Sequence, residues 1–316
     1  MLLIISFLLL PIITGAVFLK YSIVRCTSKR DMKGKVVIVT GANGGIGFHT
    51  AKNLAERGAR VILACRSEER GCNAREQIVS STGNQHVIFK KLDLASLKSV
   101  RLFAADILAT ETELHVLVNN AGVYGCNDYT EDEIIESMQV NYFGHFLLTL
   151  LLLPLLKQSQ PSRIINLSSI LHFIGKFNPN NINDPKRKKQ FLGTFRNYCD
   201  SKFCMLMFAL ELSRRLKVSG VVANAVHPGV ILTDITEHFS LLSRILFWLW
   251  CLVYNRTAEE GAQTVEYLAV AEECAQVSGC YFVDCASRLM LWKAKSQPDA
   301  IKLWNYSEEI VGYKKL

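Results

Sequence analysis

The stretch that decides the fold is Lys35-Val-Val-Ile-Val-Thr40, which is followed directly by Gly41-Ala-Asn-Gly-Gly-Ile-Gly47. Its first part is rich in Val and Ile, which predicts a strand buried on both faces. The glycines allow a tight turn, and a helix is predicted from about Gly45 to Arg57. The N-terminus of that helix offers N–H groups and a positive dipole end to an anion. A strand, a glycine-rich turn and a helix in this order predict a dinucleotide pyrophosphate site, with a purely structural turn as the alternative.

Short apolar runs and helical patterns alternate along the rest of the chain. Runs rich in Val and Ile without polar alternation predict parallel strands covered by helices on both faces. We therefore predict a single-domain α/β protein with a Rossmann-like doubly wound parallel sheet, extending over residues 35–316. The other predicted strands are 60–64, 86–91, 114–118, 163–167 and 221–226, with 280–283 as a further candidate, and the other predicted helices are 68–81, 96–109, 132–153 and 198–216.

Half of the 316 residues are hydrophobic, and the excess lies mostly at the N-terminus. This content excludes intrinsic disorder. Residues 2–19 carry no charge, and at about 1.5 Å per residue they approach the thickness of the hydrocarbon core. A cleaved signal peptide is an open alternative, but only Met1 precedes the apolar run where a basic region is usual. We predict a transmembrane anchor at 1–20 and a basic juxtamembrane linker at 21–34.

The net charge of +8 is concentrated in two basic clusters. The linker cluster follows the predicted anchor, so the positive-inside rule places the domain in the cytosol, beside an anionic leaflet. The second cluster, residues 186–189, lies among Asn, Pro and Asp and predicts a solvated loop. No nucleic-acid-binding module is recognisable, so no nucleic-acid partner is predicted. The ten cysteines form neither C-x-x-C nor zinc-like spacing, which predicts no metal site and idle thiols in a reducing compartment.

The spacing T-G-x-x-x-G-x-G at residues 40–47 resembles the short-chain dehydrogenase/reductase superfamily, and within it the membrane-anchored retinol dehydrogenase group. That group includes enzymes acting on retinoids, steroids and other lipid carbonyls, so the resemblance implies a lipophilic substrate and a membrane location, the endoplasmic reticulum. A homodimer is left open. The other matching stretches are Ala64-Cys-Arg66, Leu92-Asp-Leu94, Asn119-Asn-Ala-Gly122, Ser168-Ser169, Tyr198-x-x-x-Lys202 and His227-Pro-Gly229.

Tyr198 and Lys202 are four residues apart on a predicted helix, so they share one face. Reducing a carbonyl requires a proton for the oxygen, and a tyrosine with a pKa near 10 is a poor acid at neutral pH. A nearby ammonium stabilises tyrosinate and is expected to bring the pKa toward the working range. We predict Tyr198 as the acid/base and Lys202 as its activator and the residue that orients the cofactor ribose.

Ser169 ends the fifth predicted strand, at the carboxyl edge where such sheets place ligands. Its hydroxyl can bond the substrate oxygen and the developing alkoxide, and Ser168 is the structural alternative. Asn141 lies in the middle of a predicted helix, where Asn has a poor propensity. The resemblance implies that Asn141 holds a water of a proton relay, and a buried polar residue that bends the helix is the alternative.

Cofactor choice depends on the end of the second strand. NAD-binding proteins usually place a carboxylate there, whereas this chain has Arg66, which can pair with a 2′-phosphate. We predict NADP(H), with a plain surface charge as the alternative reading of Arg66. The resemblance extends the cofactor-binding set to Thr40, Gly41, Asn43, Gly45, Ile46, Gly47, Asp93, Asn119, Ala121, Gly122, Tyr198, Lys202, Pro228, Gly229 and Thr233.

Two further segments concern the substrate side. Residues 230–257, with an apolar run at 245–254, predict a lid that dips into the membrane surface, and core packing is the alternative. The 28 residues between Ser169 and Tyr198 form an insert that is expected to loop out on the surface.

The predicted activity is hydride transfer between NADP(H) and a lipophilic alcohol or its aldehyde or ketone, in the direction of carbonyl reduction. A hydroxysteroid or lipid-aldehyde reductase of the same superfamily is the alternative, and a catalytically idle membrane-bound scaffold is the rival of another class. The presence of all four catalytic residues argues against the scaffold.

Overall fold

The computed structural model describes residues 23–184, 186, 193–229, 231 and 256–313. The predicted anchor, Thr233, the apolar run at 245–254 and most of the second basic cluster lie outside the described residues.

The core of the described chain is an eight-stranded sheet in the order β3-β2-β1-β4-β5-β6-β7-β8. Strands β1 to β7 are parallel, and β8 pairs antiparallel with β7. The order reverses between β1 and β4, which is where a doubly wound sheet opens a ligand crevice. The predicted parallel sheet is confirmed. The strands are Val36–Thr40, Arg60–Cys65, Val87–Lys91, Val116–Asn119, Ser162–Leu167, Val221–Val226, Tyr281–Val283 and Ala286–Arg288.

Helices cover both faces of the sheet. Helices α1, α2 and α6 pack on one face around Val39 and Leu63, and α3, α4, α5 and α7 pack on the other around Ile38 and Leu117. Both faces are buried, because each strand sends alternate side chains to opposite sides. The helices are α1 Gly45–Glu56, α2 Glu68–Thr82, α3 Leu97–Thr110, α4 Glu136–Gln158, α5 Gly193–Arg215, α6 Ala258–Val270 and α7 Gln297–Ile310.

Helix α4 is the one helix of the described chain that is long and apolar enough to cross a membrane. Within the most apolar 18 residues of this helix, 83% is buried inside the protein. Phe146 packs against Phe208 of α5 and Trp304 of α7, at ring-centroid distances of 5.2 and 5.1 Å. Its hydrophobicity is therefore satisfied by neighbouring helices, as in a core helix.

Several element boundaries differ from the sequence prediction. Helix α4 begins at Glu136 and not at 132, since residues 129–135 form a turn closed by the bridge between Tyr129 and Ile135. Helix α5 begins at Gly193, five residues before Tyr198. The sequence reading also missed α6, α7 and β8.

The described part of the insert lies at the surface, as predicted, but it packs against the domain and does not loop out. Residues 170–173 form a 3₁₀ turn that buries His172, and Ile182 is only 1% exposed. The side chain of Asn183 accepts from the Ile135 N–H at 2.8 Å and donates to the Glu133 carbonyl at 2.9 Å. These bonds hold the insert against the turn before α4, because they satisfy backbone groups that the turn leaves open.

Candidate active site

The glycine-rich turn opens onto the carboxyl edge of β1. Gly41 and Gly45 have φ of +64° and +54°, which glycine adopts without strain. Gly44 precedes α1 and has no side chain to cap it, so the first N–H groups of the helix remain available to an anion. The turn therefore fits a pyrophosphate, as the sequence predicts.

Gly47 closes the turn against β4. A Cβ at Gly47 would lie 2.4 Å from the Gly41 carbonyl oxygen and 2.5 Å from Nδ2 of Asn120. We expect Gly47→Ala to lower the free energy of unfolding by about 2 kcal/mol, because the backbone must shift to admit the methyl group. Chemical denaturation measures this, with Gly44→Ala as the control. A Cβ at Gly44 meets only the Arg70 side chain, at 3.9 Å, so equal losses in the two variants would contradict the expectation.

A cavity of about 590 Å³ runs from the end of β2, past the turn, to α5. It joins Arg66 at one end to Tyr198 and Lys202 at the other, a size and shape suited to an extended dinucleotide. The predicted residues that line it are Gly41, Asn43, Gly45, Ile46, Gly47, Arg66, Asp93, Ala121, Gly122, Tyr198, Lys202 and Pro228.

Thr40 and Asn119 lie behind the cavity wall. The Thr40 hydroxyl accepts from the N–H groups of Asn120 and Ala121 at 2.9 and 3.0 Å, which fixes the loop after β4. The buried Asn119 amide donates to Asn166 at 2.8 Å and to Thr149 at 2.9 Å. Neither side chain lines the cavity: Thr40 supports the loop that does, and Asn119 ties β4 to β5 and α4.

Gly229 follows Pro228 at the far end of the cavity. Its φ is +97°, and a Cβ there would lie 2.5 Å from the side chain of Arg256. Arg256 in turn forms an ion pair with Asp284. The glycine is required by this close approach, as well as by its backbone conformation.

The adenosine end of the cavity carries two arginines. Arg66 is 65% exposed and lies 3.8 Å from the Glu136 carboxylate, too far for a tight ion pair. Arg70 also lines the cavity, from the first turn of α2. The sequence reading missed Arg70.

Tyr198 and Lys202 line the cavity from α5, four residues apart. The Lys202 ammonium donates to the Leu167 carbonyl at 3.1 Å and lies 5.7 Å from the centre of the Tyr198 ring. Burial lowers the pKa of Lys202 to about 8. Burial also raises the pKa of Tyr198 above its ordinary value, and this outweighs the opposing hydrogen bond with Ser169. The expected lowering of the phenol pKa is therefore wrong for this structure.

The two serines after β5 have different partners. The Ser168 hydroxyl donates to the Lys202 carbonyl at 2.8 Å, which ties the strand to α5. The Ser169 hydroxyl is hydrogen-bonded with the phenol of Tyr198 and accepts from the Leu171 N–H at 3.2 Å. Ser168 lines the cavity, whereas Ser169 does not, but of the two hydroxyls only that of Ser169 is hydrogen-bonded to the Tyr198 phenol.

Asn141 lies in a five-residue π-helical segment of α4, Gln139–Phe143. Its side chain bonds both backbone groups of Val123, at 2.7 and 2.9 Å, and donates to Ser201 at 3.1 Å. A Cβ at Gly122 would lie 3.4 Å from Oδ1 of Asn141 and 3.3 Å from Nζ of Lys202. The π-helical segment thus places Asn141 beside Gly122, which the Lys202 ammonium also approaches. Segments of this kind are frequent at functional sites.

The sequence reading also missed His145, which lies four residues after Asn141 on α4. Its Nε2 is 2.9 Å from the Thr40 hydroxyl, and the ring is fully buried. Burial, with the nearby Lys202 ammonium, lowers the pKa of His145 to about 3. His145 is therefore neutral, and it links the phosphate turn to the helix that carries Asn141.

Comparison with known proteins identifies the class. Residues 35–180 match the family model for short chain dehydrogenases. The chain is 46% identical to retinol dehydrogenase 11 of Mus musculus, covering 91% of this chain and 89% of that protein. It is also 46% identical to retinol dehydrogenase 13 of Homo sapiens, covering 91% and 87%. The solved structure of salutaridine reductase from Papaver somniferum is 25% identical, with a TM-score of 0.62, and covers 78% of this chain and 99% of that one.

The fold and the relatives together define an oxidoreductase that interconverts alcohols and carbonyls. The chain belongs to the short-chain dehydrogenase/reductase family, and within it to the retinol dehydrogenase group.

Proposed function

We propose that this protein is an NADP(H)-dependent oxidoreductase that reduces a lipophilic aldehyde or ketone of the retinal type to its alcohol. The observation that carries the proposal is that Tyr198 and Lys202 line the cavity that begins at the phosphate turn, with the Ser169 hydroxyl hydrogen-bonded to the Tyr198 phenol. The relatives named as retinol dehydrogenases support the retinoid class of substrate.

The chain supplies binding, orientation and a proton. NADPH, when bound, supplies the hydride for the carbonyl carbon. The hydroxyl of Ser169 bonds the carbonyl oxygen, and the Tyr198 phenol gives its proton to that oxygen as charge develops there. Lys202 holds a positive charge beside Tyr198, which stabilises the tyrosinate left after the transfer. Asn141, bonded to Val123 and Ser201, is proposed to hold the water through which Lys202 is reprotonated.

The two arginines at the adenosine end support NADP(H) over NAD(H). A 2′-phosphate beside Arg66 and Arg70 gains charge-assisted hydrogen bonds, whereas a plain ribose hydroxyl does not. Two acids line the cavity: Glu136 lies 3.8 Å from Arg66, and Asp93 has its Oδ1 engaged by the Ala95 N–H at 2.9 Å.

We expect Arg66→Gln to raise the KM for NADPH by about tenfold to a hundredfold, because a charged hydrogen bond is worth about 1.5–3 kcal/mol. The KM for NADH is expected to change little. Steady-state kinetics with both cofactors measure this, and Lys217→Gln removes one exposed positive charge outside the cavity lining as a control. A parallel loss with NADPH and NADH would contradict the cofactor assignment.

The substrate class is tested with a panel of retinal, steroid ketones and medium-chain aldehydes, followed by the absorbance of NADPH and NADH. We expect retinal to give the highest kcat/KM. A preference for steroid ketones would favour the alternative, a hydroxysteroid reductase. Absence of cofactor oxidation with the whole panel would overturn the enzyme assignment in favour of a scaffold.

The membrane location is a further part of the proposal. The uncharged residues 2–19 and the basic linker support an anchor with the catalytic domain in the cytosol, at the endoplasmic reticulum. Protease protection of intact microsomes tests the orientation, since a cytosolic domain is digested without detergent. Protection of the domain would contradict it.

A further inference from the structure

Five large apolar side chains are exposed in two segments near the end of β5 and after β8. They form what we call the apolar patch: Ile170, Phe173, Ile174, Leu289 and Trp292. Leu289 and Trp292 are 88% and 75% exposed, and the other three are between 48% and 60% exposed. Single exposed apolar residues are ordinary, but a group of this size rimmed by polar residues marks an interaction surface.

The two segments are neighbours in space. Lys176 and Phe177 of the first segment line a small cavity of about 270 Å³ together with Trp292 and Lys293 of the second. The ring of His172, beside Phe173, also packs on Tyr281 of β7 at 4.7 Å. The apolar patch is therefore one surface and not two unrelated ones.

The rim of the patch is positively charged. Residues 170–177 and 286–298 contain four basic residues and no acidic one. Lys176, Arg288, Lys293 and Lys295 are all exposed. Asp299, at the start of α7, lines the same small cavity, where its carboxylate accepts from the Ser296 hydroxyl at 2.7 Å. Apolar side chains with more cations than anions around them match the anionic surface of a bilayer.

The patch also lies on the side of the domain that the predicted anchor would hold near the membrane. The N–H of Cys26 donates to the side chain of Gln263 at 3.0 Å, and the thiol of Cys285, in the turn between β7 and β8, contacts the Gln263 carbonyl at 3.8 Å. The N-terminal segment thus meets the domain beside the β7–β8 hairpin. Residue 20 precedes Cys26 by six positions, which a chain can span over at most about 20 Å.

We propose that the apolar patch is a docking surface for an anionic lipid bilayer, which it contacts in addition to the anchor. Ile170 follows Ser169 directly in the chain, so docking would turn the substrate side of the site toward the membrane. A lipid-dissolved carbonyl then reaches the site without crossing water. This inference rests on the proposed function for its substrate, but the contact with lipid is independent of it.

The test uses the full chain in vesicles of phosphatidylcholine with phosphatidylserine. Leu289→Glu and Trp292→Glu each replace an apolar contact with a negative charge that the anionic lipid repels. We expect each to raise the KM for vesicle-borne retinal about fivefold, while the KM for a short water-soluble aldehyde stays unchanged. Val218→Glu is the matched control, since Val218 is 99% exposed in the turn before β6 and outside the two segments that form the patch. Equal effects of the three variants would overturn the proposal.

A second measurement reports on the patch whether or not the protein reduces retinal. Brominated lipids quench tryptophan fluorescence at short range, so wild type is expected to be quenched more than Trp292→Phe. Identical quenching of the two proteins would overturn the docking surface. A change of sedimenting mass in Trp292→Glu without a change in quenching would also overturn it, in favour of contact with a second copy. Reduction of neither aldehyde by wild type would contradict the proposed function alone.

Discussion

Replacing Tyr198 by phenylalanine is expected to lower kcat by about three orders of magnitude and to leave NADPH binding nearly unchanged. The variant removes only the phenol oxygen, which is the proton donor and the partner of Ser169. General acid catalysis by a positioned side chain contributes about 10²–10⁴ in rate. The aromatic ring stays, with its packing against Tyr124 at 5.4 Å, so the cavity keeps its shape.

Single-turnover reduction of retinal and a fluorescence titration with NADPH separate these two effects. Tyr129→Phe is the control, because the Tyr129 hydroxyl bonds the Asn183 carbonyl at 2.8 Å, on the surface. Activity of Tyr198→Phe within tenfold of wild type would refute the assignment of the acid.

Lys202→Met is expected to abolish reduction and at the same time to stabilise the protein in the absence of cofactor. Burial lowers the lysine pKa from 10.5 to about 8, which corresponds to about 3 kcal/mol of charging cost. The variant leaves the Leu167 carbonyl without its donor, a loss of about 1 kcal/mol. The net gain expected at pH 7 is about 2 kcal/mol in the free energy of unfolding.

The pH dependence of this gain has a definite sign. Between pH 8 and 10.5 the unfolded wild-type chain binds the lysine proton that the folded chain has lost, so wild-type stability rises with pH. The gain in the free energy of unfolding from Lys202→Met is therefore largest below pH 8 and becomes smaller above it. Urea denaturation at pH 7 and 9.5 measures the difference, with the exposed Lys217→Met as the control. A gain that grows with pH would contradict the lowered pKa of Lys202.

Local patterns were sufficient to predict the sheet and the position of the reacting pair. Strand β1, the glycine turn and the Tyr198–Lys202 spacing are each written in a few consecutive residues, and the structure brings them to one cavity. The pKa of Tyr198 was not predictable in this way. It depends on how completely α5 and its neighbours exclude water from the phenol, which is a property of the packed structure.

Helix α6 and the packing of the insert were both not predicted, for different reasons. Helix α6 has a local signal that was overlooked, since Thr257 and Glu260 form a capping box. The insert has no such signal, because Asn183 is fixed by backbone groups some 50 residues earlier in the chain. Contacts of that range depend on the fold and not on the neighbouring sequence.

The hydrogen bond between Thr40 and His145 has a consequence for the thermodynamics of cofactor binding. One threonine hydroxyl joins the phosphate turn, the loop after β4 and the helix bearing Asn141, so these three segments form one pre-organised frame. A ligand entering such a frame orders little backbone, and more of its interaction energy therefore appears as affinity. Loosening the frame at His145 would cost conformational entropy at every binding event, even though the ring touches neither substrate nor cofactor.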